Sequence, residues 1–231
     1  MFYRTADDRY AGPTRPWQEP DLPIASHPRP EKRPRTHPEI KEYRRRTLIE
    51  GALRSLAEHG VSGTTVSTIS KAAGASRGLL GHYFATKDEV MVAALEYLFG
   101  RIAETVRAAV ARTEGATNKL LAVPASLFSS ATFTELNRTA FLALWHETRF
   151  NAKVRAANRR LYRDYIIRMD LMVRAAAEEQ GVEVDPRQVA LSFIALSDGL
   201  WLGLSIHDDV LTGAGAVSIC QDQIKRELKM V

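Results

Sequence analysis

The chain has 231 residues, of which 45% are hydrophobic and 26% charged, with a formal net charge of +5. That balance suits a globular protein of two small domains, and a lone cysteine, Cys220, excludes an intrachain disulfide framework and lacks the companions a structural zinc site needs. No run approaches 18 apolar residues, and the first twenty carry Arg4, Asp7, Asp8 and Arg9 without an apolar block; neither a membrane span nor a secretory signal is expected, and the cytoplasm is the expected location.

Residues 1–37 hold seven of the ten prolines, with few apolar side chains to bury, and are expected to be a disordered Pro/Arg-rich tail. Residues 1–46 contain eleven Lys or Arg against seven Asp or Glu, so four of the five surplus charges sit before the first motif. The high pI therefore does not itself argue for nucleic acid. The tail reads either as a solubilising extension or as a basic arm that follows DNA phosphates.

A first helix is predicted from Glu39 to His59, with Leu48, Ile49, Ala52, Leu53 and Leu56 on one face and Gly60 as its stop. Arg44, Arg45 and Arg46 near its start can reach a phosphate backbone or remain merely solvated. Two short helical patterns follow from Thr65 to Phe84. Thr65 is a good N-cap, and Val66, Ile69 and Ala73 form an apolar stripe; Gly74 suits a left-handed helix end, and Ser76 is the next cap. The second helix turns Leu80 and Phe84 inward and leaves Arg77, Gly78, Gly81, His82 and Tyr83 on an open polar face. By composition alone this could be an ordinary capped helical hairpin.

The order of residues is more specific. Thr-x-x-x-Ile-x-x-x-Ala-Gly-x-Ser-x-Gly-x-x-x-x-Tyr-Phe-x-x-Lys, from Thr65 to Lys87, resembles the DNA-binding signature of the TetR family of bacterial regulators. The resemblance implies a helix-turn-helix domain over 38–86 that binds a double-stranded operator. Arg77, Gly78 and Leu79 would then face base edges, and Thr65, Ser67, Ser76, His82, Tyr83 and Lys87 would hold phosphates. Gly81 stands where much of the family has tyrosine, which removes one contact and leaves the operator sequence open.

A long helix is expected from Lys87 to about Ala111, with Met91, Leu95, Leu98, Ile102 and Val106 as its buried stripe. Lys87 is unfavourable at a helix N-terminus, which hints at a bound phosphate there. Further helices are predicted at roughly 118–130, 134–148, 152–180, 185–206 and 214–228, with Thr134, Asn151 and Asp185 or its neighbours as starts and Gly181 and Gly213 as breaks. The fold class is all-α, with 87–231 as a helical ligand-binding and dimerisation domain. The helix around Ser197–Trp201 is apolar nearly all round and is expected to be buried on every side, in part by a second copy of the chain. With the last helix it would build a four-helix homodimer interface, as the resembling family does.

Aromatics and carboxylates meet in apolar surroundings at Phe141, Trp145, Glu147, Tyr162, Tyr165, Asp198 and Trp201. They read as core packing or as a ligand box. Asp198 is costly on an apolar helix unless paired, either with a ligand or with Arg155, Arg159, Arg163 or Arg168. Gly81-His-Tyr-Phe84, Phe141–Trp145 and Asp198–Trp201 are similar to the choline-responsive BetI repressors. That resemblance implies a quaternary ammonium boxed by Trp145, Tyr165 and Trp201, its charge balanced by Asp198 or Glu147. The expected function is a repressor whose recognition helices lie roughly 34 Å apart until a ligand changes that spacing.

A regulator answering to another ligand class, or a ligand-insensitive DNA-binding protein, remains compatible with the sequence. An enzyme is not expected, nor a cofactor, metal or membrane partner: Gly-x-Ser-x-Gly, a Gly-rich phosphate loop and His-Glu-x-x-His are all missing, and the six histidines are scattered.

Overall fold

The computed structural model describes residues 36–206 and 210–230, and these form nine α-helices and no strand. The tail expected over 1–37 lies outside the described residues except for Thr36 and His37. His37 already belongs to α1 (His37–Gly63), two residues ahead of the expected start. A reciprocal cap begins the helix there: the Thr36 amide donates to Glu39 Oε2 at 3.0 Å, and the Glu39 amide donates to Thr36 Oγ1 at 3.4 Å. Gly60 interrupts α1 with φ of +63° and ψ of −174°, so the regular helix stops where the sequence places its end.

Helices α2 (Val66–Ala73) and α3 (Arg77–Tyr83) form the helix-turn-helix. Thr65 and Thr68 cap each other's backbone in a capping box, and Ser76 Oγ accepts the Leu79 amide at 3.1 Å. Between the helices Gly74 takes the left-handed conformation, with φ 63° and ψ 32°. Ile69, Leu80 and Phe84 join the core built by Leu48, Ala52 and Leu56 of α1. Val66, expected on the same stripe, is instead 46% exposed. It sits in the first turn of α2, at the far end from Ala73, where α1 makes its closest approach. That approach needs Gly51, because a Cβ there would lie 2.6 Å from Ala73 Cβ. Arg54 adds a clamp, donating from Nη2 and Nε to the Ala72 carbonyl at 2.7 and 3.2 Å.

Helix α4 (Lys87–Val110) starts at an N-cap, Thr86, with Asp88 and Glu89 in its first turn. The Lys87 ammonium curls back and donates to the Val61 carbonyl at 2.7 Å, satisfying a carbonyl just past the α1 kink. This is a local reason for a lysine at that position, independent of any phosphate. Lys87→Ala should lower stability by about 1–2 kcal/mol, read from a thermal melt, and weaken specific and random DNA alike.

The remaining helices are α5 (Ala116–Leu127), α6 (Glu135–Glu147), α7 (Ala152–Gln180), α8 (Pro186–Ile206) and α9 (Gly213–Glu227). Thr134 and Asn151 cap α6 and α7, Asp185 Oδ1 accepts the first amides of α8, and Gly181 ends α7 in the left-handed region, all as the sequence indicates. Gly213 is not a break but the first residue of α9, capped by Thr212. Helix α7 is central, packing on α4, α5 and α8, while α9 lies on α8 and α5 and α6 touches α4, α7 and α8.

Helix α8 is long and apolar enough to cross a membrane by length and composition, with a mean hydropathy of 1.7, yet Val189, Phe193, Ile194, Trp201 and Leu204 are core. The expected burial on every side is not reached within one chain. Leu191, Ala195, Gly199, Leu202 and Ile206 form one exposed stripe at helical spacing.

Candidate nucleic-acid interface and ligand cavity

On α3 the side chain of Arg77 and the positions of Gly78, Gly81 and His82 are exposed, whereas Leu79 and Tyr83 are half-buried against the core. Arg77 Nη2 donates to Ser67 Oγ at 2.9 Å, linking two of the expected DNA contacts across the motif. Thr65 and Ser76 keep their hydroxyls at the exposed helix starts. Arg44 is exposed, Arg46 lies over the Tyr43 ring at 5.7 Å, and half-buried Arg45 packs over Phe84 at 5.5 Å. A Cβ at Gly81 would meet nothing within 4 Å, so no packing demand explains the glycine; it leaves bare backbone on the open face. Arg77→Ala should cost about 1–3 kcal/mol of operator affinity and relax specificity at one base position; equal losses on operator and random DNA would remove its assigned role.

The second site is a cavity of about 670 Å³ enclosed by α4 to α8. Helices α4 and α7 run in parallel register, tied by contacts at sequence separations of 63 and 64, where Asn151 Nδ2 donates to Asp88 Oδ1 and Arg160 pairs with Glu96; near the other end of α7, Glu179 Oε2 accepts the Thr117 amide of α5. Between those ties the two helices line the cavity. Phe99 and Tyr162 meet at its base with ring centroids 5.5 Å apart, joined by Phe141 and Trp201 at 5.8 Å from each other. Tyr165, Ser197 and Asp198 complete that end.

Of the expected ligand residues, Tyr165, Asp198 and Trp201 are brought together on the cavity wall. Trp145 and Glu147 are not part of it. Trp145 sits one turn beyond Phe141 on α6, with ring centroids 5.2 Å apart; Phe141 takes the wall position, and Trp145 lies outside the lining but within hydrogen-bonding reach of the Tyr162 hydroxyl. Glu147 is the last residue of α6, more than a turn past Phe141. Phe99 carried no recognisable signal, because its partners lie on helices distant in sequence; Tyr162 was visible as an aromatic three residues before Tyr165 on one helix face.

Asp198 dominates the electrostatics. Its Oδ2 accepts the Tyr162 hydroxyl at 2.9 Å. Burial raises its carboxyl from the ordinary range to about 6, and the Tyr162 hydrogen bond opposes that rise only in part. The arginines of α7 do not neutralise it. Arg155 donates to the Thr148 and Arg149 carbonyls, Arg168 to the Asp164 carbonyl, and Arg159 and Arg163 are exposed. Among the described residues no cationic side chain is within ion-pair distance of Asp198. Burial and the Asp198 charge raise the Tyr162 and Tyr165 hydroxyls as well, keeping both protonated and able to donate. Cys220 is fully buried, and burial pushes its thiol up to about 11, as fits an inert core residue.

Comparison with known proteins matches residues 48–94 to the model for bacterial regulatory proteins of the tetR family and residues 116–229 to that for the C-terminal part of BetI-type transcriptional repressors. The HTH-type transcriptional regulator BetI of Agrobacterium fabrum is 30% identical over 190 residues, spanning 82% of this chain and 90% of that protein. A transcriptional regulator from Pseudomonas aeruginosa PAO1 superposes with a TM-score of 0.74 at 29% identity, covering 82% of this chain and 92% of that one. A regulator from Saccharomonospora viridis, solved in complex with choline, has a TM-score of 0.69 at 20% identity over 80% of this chain and 96% of its own, a likeness of fold alone. These relatives are regulators of transcription, not enzymes. The matched helix-turn-helix, the all-helical remainder and the curated relatives together make the chain a DNA-binding transcriptional repressor of the TetR family, with a BetI-type C-terminal domain.

Proposed function

We propose that this repressor acts in the cytoplasm as a homodimer and is released from its operator by a small quaternary amine of the choline type, bound at the base of the cavity. The observation that carries this reading is Asp198, a desolvated carboxylate with no cationic partner among the described residues, set among the rings of Phe99, Phe141, Tyr162, Tyr165 and Trp201. A quaternary ammonium has no proton to donate and gains from ring faces, each worth roughly 0.5–2 kcal/mol, together with one negative charge. The choline-bound regulator of similar fold supports this class of ligand. The division of labour follows the expected boundaries, with 38–86 reading DNA and 87–231 binding ligand and partner. The exposed stripe of α8, with small Ala195 and Gly199 at its centre, supports pairing with a second copy beside α9, where Ile219 is also exposed.

Helix α4 connects the two activities. It forms one wall of the cavity, and its N-terminal half is fixed to the reading head through Lys87 to Val61 and through the Tyr97 hydroxyl, which donates to Glu50 Oε1 at 2.6 Å. A ligand that separates α4 from α7 moves the head with it, and by linkage DNA weakens the ligand by the same factor. The test is selection of an operator with the purified protein, then release of that DNA by choline, tetramethylammonium and uncharged isosteres. Release by the cations alone supports the reading. Release by none of them favours a regulator of another ligand class or one insensitive to ligand.

A further inference from the structure

Resting on that reading of the base, the geometry points to an amphiphilic ligand: a quaternary ammonium head at Asp198 carrying an aliphatic tail that fills the slot between α4 and α7. Choline has seven non-hydrogen atoms, and at about 30 Å³ each, the volume of a liquid water, it would occupy at most about a third of the cavity. The remaining space is elongated. From Phe99 to Val110 along α4, and from Tyr162 to Met172 along α7, the helical rise gives about 15–17 Å. The walls beyond the base are Ile102, Ala103, Val106, Val110, Met169 and Met172, which offer no charged or hydroxyl group. Ile102 and Val106 continue the buried stripe of Met91, Leu95 and Leu98, yet they are only half-buried because they face this slot instead of a neighbouring helix.

Charge orients the occupant. Arg107 and Arg168 line the cavity and are both exposed, which places them at its opening, and each donates only to a carbonyl of its own helix, Ala103 and Asp164 respectively. Among the described residues neither has a carboxylate within ion-pair distance. A cationic head is thus repelled at the mouth and attracted at the base, with the tail trailing outward. Leu171, on the cavity wall and 57% exposed, extends the apolar path to the surface.

Calorimetric titration of the full chain at pH 8 with tetramethylammonium, choline and butyl-, hexyl-, octyl- and decyltrimethylammonium, with octanol and octanoate as controls, tests this. Affinity should rise about fourfold per methylene until the slot is filled, then level off. Octanol and octanoate should bind at least tenfold more weakly than the octyl cation. Choline binding as tightly as the octyl cation would overturn the tail while leaving the base reading intact, whereas failure of every cation would sink both. Octanoate or octanol matching the octyl cation would also overturn the proposal. Ala103→Trp fills the middle of the slot and should flatten the series; a full chain-length gain in that variant places the tail elsewhere and refutes the assignment.

Discussion

Gly51→Val is expected to dismantle the reading head. Helix α1 meets α2 so closely that even an alanine Cβ at position 51 would lie 2.6 Å from Ala73 Cβ and 2.8 Å from the Ala73 backbone nitrogen. Backbone cannot swing aside as a long side chain can, so α2 has to move away from α1. That motion breaks the Arg54 clamp on Ala72 and shifts α3, which is joined to α2 by one glycine turn. Overpacking of this kind costs about 1–3 kcal/mol, and the branched side chain stands at the upper end or above it. The helix propensity gained by replacing glycine, at most about 1 kcal/mol, offsets only part of that. The expected result is a melting temperature lowered by several degrees and loss of operator binding, with Gly51→Ala intermediate. A wild-type melt together with wild-type operator affinity for the valine variant would show that α2 does not need this contact.

Asp198→Asn is expected to separate stability from ligand response. The unfolded chain ionises an aspartate near 3.9, whereas the fold holds the proton until about 6. Between those values the folded state binds more protons than the unfolded one, so this group's contribution is most favourable below about pH 4 and is lost as pH rises through 6. Two pKa units correspond to about 3 kcal/mol as an upper figure. Asparagine keeps an oxygen for the Tyr162 hydroxyl and carries no charge. The variant should therefore be more stable than the parent by about 2–3 kcal/mol at pH 7.5 and equal to it at pH 4, as denaturant melts at the two values would read. Its affinity for a quaternary ammonium should fall at least tenfold at pH 7.5. In the parent that affinity should drop about tenfold per pH unit below 6, and in the variant it should not vary with pH. A variant that binds the cation as well as the parent would remove Asp198 from the site. Trp201→Ala is a poorer probe, since Trp201 packs on Phe128, Phe133 and Phe141 and is 7% exposed, so its loss would damage the core as well as the cavity.

The caps and breaks were legible because they act locally. Thr65, Ser76, Thr134, Asn151 and Asp185 each satisfy amides within a few residues of themselves, and Gly74 and Gly181 relieve a backbone strain at their own φ. The ordered pattern from Thr65 to Lys87 carried the family for the same reason: it is contiguous. The sequence by itself therefore determined most of the helix caps and breaks, though not the start of α9 at Gly213, together with the recognition helix and the candidate aspartate. What faces what was decided only in the tertiary structure. Apolar spacing on α4 is identical for Leu98, which is buried, and for Ile102 and Val106, which line a cavity, since periodicity reports a face and not its neighbour. Trp145 and Phe141 share one face of α6, and only the positions of α4, α7 and α8 put Phe141 on the wall and leave Trp145 outside the lining. That Asp198 has no arginine partner among the described residues was likewise beyond the sequence, because Arg155, Arg159, Arg163 and Arg168 on α7 were all candidates and the direction of each depends on groups that folding brings near, such as the carbonyls that Arg155 and Arg168 bond.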